Sequence, residues 1–142
     1  MMDGIFGARE IEFAIDLALA LFCGMIVGLE RELRGKPAGI STQTLVITGA
    51  MMFSFFSRTI GEGDPTRIAA QIVSGVGFLG AGIILKSEKK DKIQNLTTAA
   101  SIWYGAAIGM ALGFNMHAIA ILASLYAVAI NRIPHVKKYN DE

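Results

Sequence analysis

Charged and apolar positions are segregated along this chain. Five stretches, at about 13–29, 43–57, 68–85, 96–114 and 116–131, are uncharged or nearly so, and the charges gather in short clusters between them. Each stretch holds about 15 to 19 residues. An 18-residue helix rising about 1.5 Å per residue reaches ~27 Å, which just crosses a bilayer core. The pattern predicts an all-α, polytopic membrane bundle of five transmembrane helices, one domain over residues 1–142. Flanking residues are needed to complete the shorter spans.

The connections are short. Glu30–Ser41 is the longest, with Gly35-Lys36-Pro37 as its turn signal. Gly61-Glu62-Gly63-Asp64-Pro65 turns into the third helix, with Asp64 expected as N-cap and Pro65 at the first helical position. Lys86–Asn95 is a second charged loop. The link near Gly113–Asn115 is tight enough to make the fourth and fifth stretches a helical hairpin.

Helical spacing assigns faces. Arg67, Gln71, Ser74, Phe78 and Gly82 share one face of the third helix, and Ala69, Val73, Gly77 and Gly80 lie nearly opposite. Small residues let helices approach closely in lipid, so Gly75, Gly77, Gly80 and Gly82 are read as packing positions and this helix is expected at the centre of the bundle. The first helix has one such face: Asp16, Ala20, Cys23 with Gly24, Val27 and Arg31. The fourth has Thr98, Ser101, Gly105 and Gly109, continuing to Gly113 as a small-xxx-small ladder. The second offers Thr44 and Thr48. The fifth has little polar character apart from Ser124 and is expected at an edge.

Composition agrees with a membrane setting. The mean hydropathy is +0.50 and 18% of residues are charged, below the roughly 25% of soluble domains. The first loop, the third loop and the C-terminal tail hold ten Lys and Arg residues; the other side holds Arg9, Arg58 and Arg67. The positive-inside rule then places the N-terminus outside and the C-terminus in the cytoplasm, which requires an odd number of spans. No basic n-region or A-x-A-like site marks a cleaved signal peptide, so the first apolar run is expected to remain as a span. A net charge of +1 gives no reason to expect nucleic acid. One cysteine, Cys23, excludes an internal disulfide and a cysteine-cluster metal site.

Candidate chemistry is sparse. Gly75-Val-Gly77-Phe-Leu-Gly80 spells G-x-G-x-x-G, but a dinucleotide site needs a strand before the motif and a helix N-terminus at it. Here the glycines sit inside a helix, whose interior N–H groups are already bonded. Asp16 is an acid within a span, where a carboxylate costs a few kcal/mol. It is either a functional polar site or half of a structural pair, with Arg67 the expected partner. Glu30 and Arg31 end the first span where Ser41, Thr42 and Thr44 open the second and Asn95, Thr97 and Thr98 open the fourth. These ends either converge on an anion-friendly vestibule or supply caps and interfacial charge. His117 and His135 fall on opposite sides of the membrane, and no metal-ligand set is identifiable. No catalytic constellation is identifiable, and neither enzyme activity nor a cofactor is expected.

Three motifs in order carry a family resemblance. The first is Gly28-Leu-Glu30-Arg31-Glu32 with Gly35-Lys36-Pro37-Ala38-Gly39-Ile40 and Thr42-x-Thr44-Leu45-Val46. The second, Asp64-Pro65-x-Arg67 through Gln71, Ser74, Gly75, Gly77, Gly80 and Gly82, is the most distinctive. The third is Leu96-Thr97-Thr98-Ala99-Ala100-Ser101-x-Trp103, followed by Ala106-x-Ile108-Gly109. The chain resembles the transmembrane domain of the MgtC/SapB family of bacterial inner-membrane proteins. The resemblance implies five spans and a cytoplasmic C-terminus. It also implies links to growth in low magnesium, to pathogen survival in macrophages, and to action on the F-type ATP synthase and the membrane potential. Beside the virulence-associated members, the chain is expected to be a short form without their soluble C-terminal domain. It also has Thr97 where they can have Asn and Tyr104 where they can have Cys.

The expectation is therefore a small regulatory membrane protein in the lipid bilayer, forming a homo-oligomer or binding a membrane partner such as the ATP synthase. The alternative is a transporter or channel for an ion or small solute, lined by Asp16, Arg67, Gln71, Ser74, Glu30 and Thr98. Mg²⁺ favours near-octahedral oxygen cages, and Asp16 alone is a poor start on one.

Overall fold

The computed structural model describes residues 7–60, 63–86 and 93–134. They form five helices: α1 (Ala8–Leu33), α2 (Ile40–Ile60), α3 (Arg67–Ile83), α4 (Leu96–Gly113) and α5 (His117–Asn131). Three of them, α1, α2 and α4, are long and apolar enough to cross a membrane; α3 and α5 are shorter apolar helices. Between α3 and α4 the chain makes a two-residue antiparallel ladder, β1 (Leu85–Lys86) with β2 (Ile93–Gln94), which the sequence pattern did not signal. Lys89, Lys90, Lys92, His135, Lys137 and Lys138, used above for sidedness and metal arguments, lie outside the described residues.

Helix ends follow local chemistry. At the start of α1, the Gly7 N–H donates to Glu10 Oε2 at 2.9 Å. At its end Gly35 takes φ +61°, and the Lys36 and Gly35 N–H groups donate back to the carbonyls of Arg31 and Glu32. This reversal needs a left-handed residue, and glycine supplies it without a Cβ penalty. Glu32 then accepts the Ile40 N–H at 3.1 Å, so a carboxylate on α1 satisfies the N-terminus of α2. The α4–α5 turn repeats the device with Asn115 at φ +61°, and the Met116 and Asn115 N–H groups return to Ala111 and Leu112. The helical hairpin expected there is present. The start of α3 differs from expectation. Pro65 lies in a turn, the helix begins at Arg67, and Asp64 Oδ1 instead accepts the Thr66 N–H and hydroxyl.

The centre of the bundle is α2 and α4, not α3. The most extensive interface joins these two, and α1 lies along α2. Glycines set both contacts. A Cβ on Gly109 would collide with the Ile47 carbonyl, and one on Gly113 with the Met51 carbonyl and Ser54. Gly24 and Gly28 of α1 sit equally close to Thr44 and Ile40. In lipid, apolar burial gives helices little reason to associate, so this closeness is what lets backbones and side chains make dense van der Waals contact. The expected faces of α1 and α4 are therefore the packed ones.

α3 lies against α2 and α4 through Ala69, Ile72, Val76 and Gly80. Its Gln71, Ser74, Gly75, Gly77 and Gly82 are exposed, and a Cβ on any of those three glycines would meet nothing within 4 Å. The expectation of a hub helix is corrected. The small residues were read properly as permissive of close approach, but only Gly80 meets a neighbour, Ala99. α5 packs on α1 and α4 through Ala120 and Ser124, at an edge as expected.

Candidate functional site

Polar side chains collect at the two ends of the bundle. At one end, the buried stripe of α1 (Asp16, Ala20, Cys23, Gly24, Val27) continues one turn further and carries Arg31 inward. Arg31 is 3% exposed. Its Nε and Nη2 donate to the Pro37 carbonyl at 3.3 and 3.1 Å, and Nη2 also donates to Thr98 Oγ1 at 2.5 Å. Arg34 Nη1 donates to Glu30 Oε1 at 3.2 Å and to the Asn131 carbonyl. These groups border a cavity of about 460 Å³, with Arg31, Arg34 and Lys36 on one wall and Asn95, Thr97 and Thr98 on the other. A smaller cavity of about 180 Å³ adjoins it, lined by Thr97 and by Tyr104 beside Tyr126.

The vestibule suggested by the sequence thus gathers Arg31, Asn95, Thr97 and Thr98, with Glu30 tied to Arg34 beside it. Ser41 and Thr42 are exposed and do not line it, and Thr44 faces Gly24 instead.

At the other end Asp16 is fully buried, with His117 Nε2 2.7 Å from its Oδ1. The expected partner Arg67 is not there. It is exposed at the start of α3, which packs on α2 and α4 and not on α1. The tight α4–α5 turn brings His117 over α1 instead. One turn outward, Glu12 Oε1 accepts from Arg58 Nη2 at 2.8 Å and from Asn115 Nδ2 at 2.6 Å, while Arg58 Nε donates to the Gly113 carbonyl at 3.0 Å. This cluster ties α1, α2 and the α4–α5 turn together. Asp64 lies apart from it. Hydrogen bonds from the Thr66 hydroxyl and backbone hold its carboxyl below the usual carboxylate range.

Between the two ends the interior is mostly apolar, with Gln43, Ser54 and Ser124 as buried polar side chains. Ala20, Cys23, Val27, Ile47, Met51, Ile108 and Leu112 form a continuous core. Within it Gln43, fully buried on α2, donates from Nε2 to Ser101 Oγ at 3.0 Å. Gln71 and Ser74 take no part in this interior. Gln71 borders an outer groove of about 490 Å³ between α2 and α3, walled by Val46, Ala50, Phe53, Gly75 and Leu79. Among the described residues, no group of three or more His, Cys, Asp or Glu side chains is placed to hold a metal ion.

The sequence profile of the MgtC family matches residues 17–138. The chain belongs to the MgtC family. It is 44% identical over 118 residues to Protein MgtC of Brucella suis, covering 82% of this chain and 49% of that protein. It is 40% identical over 119 residues to Protein MgtC of Salmonella typhimurium LT2, covering 84% and 51%. It is 41% identical over 134 residues to a protein of Escherichia coli K12 named "Putative magnesium transporter YhiD", covering 87% and 61%. The chain thus spans about half to three-fifths of the length of these relatives. No solved structure matches it.

Three features escaped the sequence reading. Gln43 stands among Ser41, Thr42 and Thr44, and the group reads as a helix start; its membership of the Gln43, Ile47, Ala50, Ser54 stripe was the available signal. His117 was weighed only as a metal ligand. The Glu12–Arg58–Asn115 cluster joins three separate segments, and nothing in their spacing announces it.

Proposed function

We propose that this MgtC-family chain crosses the bacterial inner membrane five times with its C-terminus in the cytoplasm. There it acts as a regulator in magnesium limitation and membrane energetics, through membrane-protein partners, without catalysing a reaction. The observation that supports a regulator over a conduit is the core between the two polar ends, which is apolar apart from Gln43 and a few serines. Gln71 and Ser74, the side chains expected to line a path, lie on the outer face of α3. A polar side chain on a lipid-facing surface is unfavourable, and a partner helix offers it a hydrogen bond. The α3 face is therefore where a partner, such as a second copy or an ATP synthase subunit, is best accommodated.

The second reading is transport of an ion or small solute. It is favoured by the buried Asp16, whose Oδ2 has no hydrogen-bond partner among the described residues, and by the name of the Escherichia coli relative. The two readings separate in liposomes. Flux of Mg²⁺, Na⁺, H⁺ and phosphate is measured for the wild type and for Gln71→Leu. The regulatory reading expects no selective flux from either, and specific co-purification of a membrane protein that Gln71→Leu weakens. A selective flux carried by the wild-type chain would overturn it.

A further inference from the structure

Arg31 is a buried cation that makes no ion pair among the described residues; the buried Glu30 carboxylate next to it in sequence is bonded to Arg34. Among the described residues no carboxylate lies within ion-pairing distance of it; the pairs at this end join Glu30 to Arg34, and Glu32 is engaged by the Ile40 N–H. Its hydrogen bonds go to two neutral acceptors, the Pro37 carbonyl and the Thr98 hydroxyl, through Nε and Nη2. A charge removed from water is costly unless an opposite charge meets it. Arg31 lines the 460 Å³ cavity together with Arg34 and Lys36, and among the described residues only Arg34 of the three is paired with a carboxylate.

The opposite wall has the same polarity. Helix α4 begins there with Leu96, Thr97 and Thr98, and no side chain caps its first turn. Asn95, which stands at the cap position, takes φ +63° and sends its Nδ2 to the Ile83 carbonyl at 3.3 Å. The first backbone bond of α4 is made by the Ala99 N–H. The N–H groups before it, which have no partner among the described residues, and the positive end of the 18-residue helix dipole border a cavity already lined by three cations. The cavity exceeds what one oxyanion fills, and exposed Leu96, Ile130 and Ile133 give it an apolar rim.

We propose that this cavity binds a phosphate group, held between the Arg31, Arg34 and Lys36 side chains and the N-terminus of α4. The occupant is a phosphate on an anionic lipid headgroup or a free phosphate anion, and the apolar rim suits the lipid. The proposal holds whether the chain regulates or transports.

The test uses the full chain in nanodiscs, with thermal unfolding as readout. One arm keeps phosphatidylcholine throughout and titrates sodium phosphate against sodium chloride at constant ionic strength. The other omits phosphate and raises the fraction of phosphatidylglycerol. A saturable rise in Tm in the first arm identifies free phosphate, and in the second the lipid headgroup. Lys36→Gln keeps the backbone bond to Arg31 and does not touch the packed core, so folding is not at issue. Removing that one cation is expected to raise the half-saturation point about five-fold, the equivalent of roughly 1 kcal/mol per basic side chain. Arg132→Gln, at the same end but off the cavity, is expected to leave it unchanged. The site is overturned if neither arm saturates, if saturation is indifferent to Lys36→Gln, or if Arg132→Gln weakens binding equally.

Discussion

At the scale of single residues, Arg31 shows how a terminal charge becomes an interior one. It ends α1, where a cation meets the negative end of the helix dipole, yet the stripe it belongs to points inward. Thr98 is the side chain that receives it. Thr98→Val keeps shape and volume but removes that acceptor, leaving a buried charged donor short of a bond. The expected loss is about 1–3 kcal/mol, read by thermal or denaturant unfolding in detergent. Thr97→Val, on an exposed side chain one residue earlier, is expected to change stability by less than about 0.5 kcal/mol. Equal losses would show that Thr98 is not a structural acceptor for Arg31. Asp16 makes the complementary point. Its burial followed from the α1 stripe, but its partner came from a histidine 101 positions away.

At the scale of elements, the glycines divide into two groups that look alike in sequence. Those of α4 and α1 are filled against backbone and side chains of α2; Gly75, Gly77 and Gly82 of α3 face open space. The two groups predict opposite phenotypes. Gly109→Leu would force α2 and α4 apart and is expected to cost more than about 3 kcal/mol, seen as loss of folded protein by gel filtration. Gly75→Leu is expected to leave the isolated chain folded, with stability changed by less than about 1 kcal/mol, while weakening association at the α3 face. Native mass spectrometry of mixed tagged and untagged chains reads the second effect. A folded Gly109→Leu would mean that the α2–α4 interface is not as close as described, and an unfolded Gly75→Leu would mean that α3 packs inside the bundle.

At the scale of the whole molecule, α2 and α4 form the axis, α1 and α3 flank it, and α5 closes the edge beside α1. The cavity lies at the end where the α1–α2 turn meets the start of α4 and the end of α5. The proposed topology makes that end cytoplasmic. Cysteine reporters in a Cys23→Ala background test it. A membrane-impermeant maleimide applied to intact spheroplasts is expected to label Gly63→Cys, and to label Gln94→Cys only after permeabilisation. Labelling of both from one side would contradict an odd number of spans with α3 as one of them.

The periodicity of the chain determined five helices, their ends to within a few residues, and the packed faces of α1 and α4. Each of those is a property of one helix: its length, its cap residues, and the stripe that 100° spacing draws on it. The order in which the helices pack was decided only by the tertiary structure. In lipid the inside and outside of a bundle are nearly equally apolar, so hydrophobicity does not say which face turns inward. Small residues permit close approach without naming the partner, which is why α3 read as a hub and stands at the flank. The pairing of Asp16 with His117, and the gathering of Arg31, Lys36 and the start of α4 around one cavity, depend on the relative rotation of helices far apart in sequence. No single stripe carries that information; the contacts that fix it are the backbone approaches of Gly24, Gly28, Gly109 and Gly113 to α2.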